Sequence, residues 1–176
     1  MKQIHKLLLL FIVLFAVSFL CSAQTKAKKK ANEDTEGWKY EIEAVKTGTQ
    51  GSYLIKVWSY SKKPEVAIEQ AKKNAVHGII FKGFTGKQGV PGQRPLANNS
   101  NLEFEKADFF NAFFSDNEGR YMKFVSLTTD GSVSAEDRLK IDKKTYKIGV
   151  VVSVNVSSLR KDLEDAGIIN KLGAGF

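Results

Sequence analysis

Six apolar residues, Tyr146, Ile148, Val150, Val152, Val154 and Val156, fall at alternate positions late in the chain, opposed by Lys147, Gly149, Ser153 and Asn155. A period of two marks a strand with one packed face, so this segment predicts a long strand. Trp38, Tyr40, Ile42 and Ala44 alternate in the same way with Lys39, Glu41 and Glu43, and predict a first strand. A turn cluster at 47–52, with Gly48 and Gly51, leads to a second at 53–60, whose two faces carry Tyr53, Ile55, Val57 and Leu54, Trp58, Tyr60. Together these two read as a hairpin. Residues 121–128 predict another strand, and 138–142 a short one.

Elsewhere the period changes to that of a helix. Pro64 suits a first helical turn, where its missing donor costs nothing, and Ala67, Ile68, Ala71, Ala75 and Ile79 then recur at steps of three or four. Small alanines on that stripe allow close approach to a sheet. Ser100 and Glu103 have the spacing of a capping box. Beyond them Phe104, Ala107, Phe110 and Phe114 line one side of a second helix, Phe109 and Phe113 widen it, and Asn117 and Gly119 end it. The phenylalanines ask for burial. Ser157 or Ser158 can cap a last helix, on which Leu159, Leu163 and Ala166 keep the helical period until Gly167 stops it. Between the first two helices, residues 83–101 turn to Gly, Pro, Gln and Asn and predict a long loop, the best place to look for a binding surface. The order ββ, αα, β(β)β, α predicts an α+β fold, an antiparallel sheet of four to five strands with about three helices mostly on one face.

The ends of the chain change the picture of where it works. Lys2 and Lys6 precede an unbroken apolar run from Leu7 to Val17, and small residues follow at Ser22 and Ala23. This is the pattern of a secretory signal peptide over 1–23, cleaved after Ala23, and too short an apolar run to serve as a membrane span. Cys21 raises lipidation, but Leu20 and Phe19 before it are not the small residues an acylated cysteine follows. Cleavage after Ala23 leaves a chain without cysteine, which removes disulfides, thiolate nucleophiles and thiolate metal sites together. Removing Lys2 and Lys6 leaves 25 basic against 19 acidic residues, a balance of +6. Lys26, Lys28, Lys29 and Lys30 sit in a leader at 24–36 that reads as a solvated tether, with weak contact to an anionic surface as the sharper reading. Residues 37–176 are then one domain of ordinary core size. The expected location is periplasmic or secreted, without a nucleic-acid partner.

Chemistry is sparse. The stretch KNAVHGIIFKGFTG, followed by Lys87, has the glycines and lysines of a phosphate loop, but Phe81 stands where the first glycine belongs, Gln88 follows Lys87, and the segment leaves a helix instead of entering one. Gly78 and Gly83 fit close packing and a helix C-cap instead. His77, the one histidine left after processing, sits beside Val76 and Ile79 without a nucleophile elbow anywhere in the chain, and reads as a packed residue. The pairs Glu41 with Glu43 and Asp162 with Glu164 and Asp165 lack calcium-loop spacing and read as solvated faces. Neither a metal nor a cofactor is expected.

The leader, AIEQAKKNAVHGIIFKGF and YKIGVVVSVNVSSLRKDLEDAGII together resemble small periplasmic or lipoprotein-type domains of Gram-negative bacteria, among them the N-terminal domains of flagellar outer-membrane accessory proteins. The resemblance implies an envelope assembly or accessory role without catalysis, with an envelope or outer-membrane protein as partner, and it carries over no functional residue. The expected function is therefore an exported binding module; the alternative is a hydrolase acting on cell-wall or glycan material. Candidate binding residues are Lys82, Lys87 and Arg94 on or beside the long loop. Trp58 and Tyr60 join them if their strand face is uncovered, the competing reading being that both are core.

Overall fold

In a computed structural model, residues 38–172 are described, apart from 62, 63, 88, 117, 131 and 144. The signal segment with Cys21, the leader with Lys26, Lys28, Lys29 and Lys30, and Asn117 lie outside the described residues. The alternating segments become β1 (Tyr40–Thr47), β2 (Ser52–Ser61) and β5 (Tyr146–Asn155), with two short strands, β3 (Val125–Leu127) and β4 (Arg138–Lys140). All pairs are antiparallel, in the order β1-β2-β5-β3, and β4 pairs with the other end of the same β5 edge. The α+β class and the antiparallel sheet follow the sequence pattern.

Because side chains alternate, the register sorts the sheet into two faces. Tyr40, Ile55, Val57, Ile148, Val150, Val152 and Val154 point to the core, where they meet Ala67, Ala71, Ala75 and Ile79 of α1 (Pro64–Phe81). The alanine stripe lets α1 lie close, and a Cβ on Gly78 would run into the end of Ile42. Gly83, at φ +66, closes the helix: its amide and that of Lys82 both donate to the Gly78 carbonyl, at 2.7 and 2.9 Å. A Cβ there would strike the Gln93 carbonyl.

The segment after α1 is more ordered than its composition suggested. Phe84 and Gln93 exchange backbone hydrogen bonds at 2.9 and 3.0 Å, as do Lys87 and Val90 at 3.1 and 3.0 Å, which folds the tip into a miniature hairpin. The Leu96 and Ala97 amides then bind the last α1 carbonyls, Ile79 and Ile80, at 3.1 and 2.9 Å, and both side chains are buried. Those contacts satisfy helix-end acceptors that would otherwise lack partners.

Four local readings need correction. The second helix is two, α2 (Leu102–Glu105) and α3 (Ala107–Phe113), broken at Lys106, whose φ of −116 and ψ of 36 are not helical. The break turns Phe104 and Ala107 outward while Phe110, Phe113 and Phe114 fill the core. No capping box forms: Asn101 is the N-cap without a side-chain bond, and Glu103 reaches elsewhere. Residues 121–128 are a 3-10 turn, Arg120–Phe124, followed by short β3; Tyr121 and Phe124, three apart, are both buried, which suits a three-residue period. Finally, Asn155 and not a serine caps α4 (Val156–Asp165), its side chain accepting from the Ser158 amide at 2.9 Å. Gly167, at φ +66, ends that helix as expected.

Candidate binding face on the sheet

The other face of the sheet carries the residues opposed to the core positions. Cross-strand pairing sets Glu41, Trp58 and Gly149 in one row, Glu43, Lys56 and Val151 in the next, and Tyr60 beside Lys147. Trp58 and Tyr60 are therefore not core residues, and both are half-buried among their neighbours.

Two carboxylates hold the aromatic rings by their polar tips. The Trp58 indole donates to Glu43 Oε1 at 2.9 Å, and the Tyr60 hydroxyl donates to Glu41 Oε1 at 2.9 Å. Lys147 donates to Glu41 Oε2 at 2.7 Å, and its ammonium also lies 5.2 Å from the Trp58 ring centre and 5.9 Å from that of Tyr60. On the other side Lys56 stands 5.5 Å from the Trp58 ring and is tied to Asp137 at 2.6 Å. Such cation contacts favour the ring faces electrostatically. Hydrogen bonds from Lys147 and Tyr60 hold the Glu41 carboxyl below its usual range; the same contact raises Lys147. Both groups are charged at neutral pH.

Gly149 is part of the design of this face. A Cβ at that position would come within 2.9 Å of the Trp58 ring, so the missing side chain leaves the space in which the indole lies flat on β5. Searches against protein-family models, curated proteins and solved structures find no match to this chain.

Of the residues anticipated from sequence, the fold brings three together. Lys87, on the miniature hairpin, reaches Glu43 Oε2 at 3.4 Å and so joins the loop to the row next to Trp58 and Tyr60. Lys82 is not with them: its ammonium lies 4.0 Å from the Tyr40 ring centre and donates to the Trp38 carbonyl at 3.2 Å, on the side of the buried histidine. Arg94 is exposed and takes no part in this network. Glu41, Glu43, Lys56, Lys147 and Gly149 were missed as site residues. Their alternation with apolar positions was the available signal, but pairing between strands was needed to place them around Trp58.

His77 is 2 % exposed, and both ring nitrogens are engaged. The Tyr40 hydroxyl lies 2.6 Å from Nδ1 and Glu103 Oε2 lies 3.2 Å from Nε2. Tyr40 donating to Nδ1 and Nε2–H donating to the carboxylate is the neutral tautomer that satisfies both contacts. Trp38 stacks on the imidazole with centroids 3.4 Å apart. Burial lowers the His77 pKa against the opposing pull of Glu103, and burial also pushes the Tyr40 phenol well above its ordinary value. The arrangement is that of a packed polar network. Among the described residues no group of three or more His, Cys, Asp or Glu side chains could hold a metal ion, and no helix is long and apolar enough to cross a membrane.

Proposed function

We propose that this protein is a non-catalytic module of the bacterial envelope that docks a partner protein on the face of its sheet opposite α1. The observation that carries the reading is the pair Trp58 and Tyr60, held by Glu43 and Glu41 on the sheet face opposite α1. Tryptophan and tyrosine dominate the energetics of protein interfaces because they offer large area at small entropic cost. Lys56, Lys87 and Lys147 balance Glu41, Glu43 and Asp137, so a partner meets a mosaic without net charge. The signal-like first segment and the resemblance to periplasmic domains support the location, with the mature chain beginning at Gln24.

Crosslinking in intact envelope followed by pull-down tests the reading. Recovery of one outer-membrane complex is expected, lost with Trp58→Ala and weakened by Gly149→Ala, whose added methyl displaces the indole without removing it. An isolated monomer that turns over a glycan library instead would establish the hydrolase alternative and overturn the module.

A further inference from the structure

A cavity of about 600 Å³ opens on the helical side of the molecule, away from the Trp58 face. Its volume lies within the range of small-molecule sites. Trp38, Phe104, Phe110 and Phe114 give it aromatic walls, and Glu103, Lys73 and Asp116 are its charged residues. Two of the aromatic placements are unusual. Phe104 is 87 % exposed because the break at Lys106 turns it away from Phe110 and Phe113. Trp38 holds a left-handed backbone, φ 43, which is unfavourable for a bulky residue. It is kept there by the stack on His77 and an edge contact to Phe114 at 5.4 Å.

The charges are unequally matched. Lys73 pairs with Asp116 at 3.6 Å. Glu103 is held by His77 and by the Trp38 side chain, both neutral donors, while its own side chain stays 37 % exposed. Lys82, whose charge also acts on Glu103, is engaged over Tyr40 and with the Trp38 carbonyl and does not line the cavity. A carboxylate without a cation of its own thus stands in an aromatic-walled hollow. Aromatic faces attract ammonium groups, and quaternary ammonium ions in particular are recognised by several rings acting together. A neutral sugar could hydrogen-bond to the carboxylate but would leave its charge uncompensated, and an anion would be repelled by it.

We propose that this cavity binds a small organic cation, its ammonium group seated between Phe104 and Trp38 and neutralised by Glu103. The site is independent of the Trp58 face, and its test does not depend on the envelope reading.

The test is titration of the full-length protein with choline, followed by two-dimensional NMR, with 3,3-dimethylbutan-1-ol as the uncharged isostere. Choline is expected to shift the Trp38 indole and the amides of Phe104, Ala107 and Asn111, and to leave the Trp58 indole unmoved. Phe104→Ala, which removes an exposed ring and leaves the core intact, should weaken binding by about two- to fivefold. Glu103→Gln should weaken it by roughly tenfold. An absence of shifts at choline concentrations on the order of 50 mM, well above a weak affinity, overturns the proposal. So does an equal response to the neutral alcohol, which would make the cavity merely apolar, or undiminished binding by Phe104→Ala.

Discussion

At the scale of single residues, His77 shows how burial fixes a protonation state. Its imidazole faces Tyr40 from β1, Glu103 from α2, Trp38 from the chain before β1, and the more distant charges of Lys82 and Lys73. Desolvation outweighs the carboxylate and lowers its pKa below the ordinary value of 6.5. As pH falls through 6.5, the unfolded chain takes up a proton that the folded chain refuses, so stability falls with it. Glu103 behaves in the same sense at lower pH. Burial alone would raise its pKa, but donors from His77 and Trp38 bring it below 4.5, so its contribution is lost only as pH drops beneath that value. Urea unfolding should therefore give a lower midpoint at pH 5.5 than at pH 7.5. His77→Gln, which can keep one donor and one acceptor, should flatten that difference, whereas Glu103→Gln, which removes the opposing pull on the imidazole, should keep or widen it and alter the profile below 4.5. A profile unchanged by His77→Gln would show that the imidazole is not the group responsible.

At the scale of elements, the phenylalanine-rich segment separates what periodicity can decide from what it cannot. Phe110 and Phe114 fit a helical stripe and are buried; Phe104 fits the same stripe and is almost fully exposed. The difference is the break at Lys106, which no residue type announces, since lysine is an ordinary helix former. Consequently Phe113→Ala, which empties a site only 2 % exposed, should cost about 3 to 5 kcal/mol. Phe104→Ala should change stability by less than about 0.5 kcal/mol. Calorimetry on the two variants reads the contrast directly; similar losses would mean that one continuous helix buries both rings. The strands were legible for a complementary reason. Apolar residues fill every second position from Tyr146 to Val154, and an apolar row of that length lies on a packed face. Tyr121 to Phe124 failed because aromatic residues three apart satisfy a 3-10 turn while their composition imitates a strand. The candidate face was half legible: Trp58 and Tyr60 stood out by type, but Glu41, Glu43 and Lys147 look like any solvent-facing charges until register places them at the tips of the rings.

At the scale of the whole molecule, β5 is the member on which the others converge. One edge pairs with β2 along ten residues, from Tyr146 to Asn155, and the other is divided between β3 at its C-terminal end and β4 at its N-terminal end. Its core face meets α1, and its last residue caps α4. β4 is the opposite case, three residues long and exposed throughout. Local opening follows the number of buried contacts an element must give up, so the sheet should not open as a unit. Amides of β2 and β5 facing each other are expected to exchange hydrogen only with global unfolding. Those of Arg138–Lys140 should exchange by local opening that is insensitive to low urea. The Lys56 contact to Asp137 links the turn before β4 to β2 at 2.6 Å, on the same face as Trp58. If that tie holds the turn, Lys56→Met should speed exchange in β4 and leave β5 unchanged. Equal acceleration in both strands would mean that β4 is integral to the sheet, and that the Trp58 face is bordered by a fixed rim and not by a segment able to move aside for a partner.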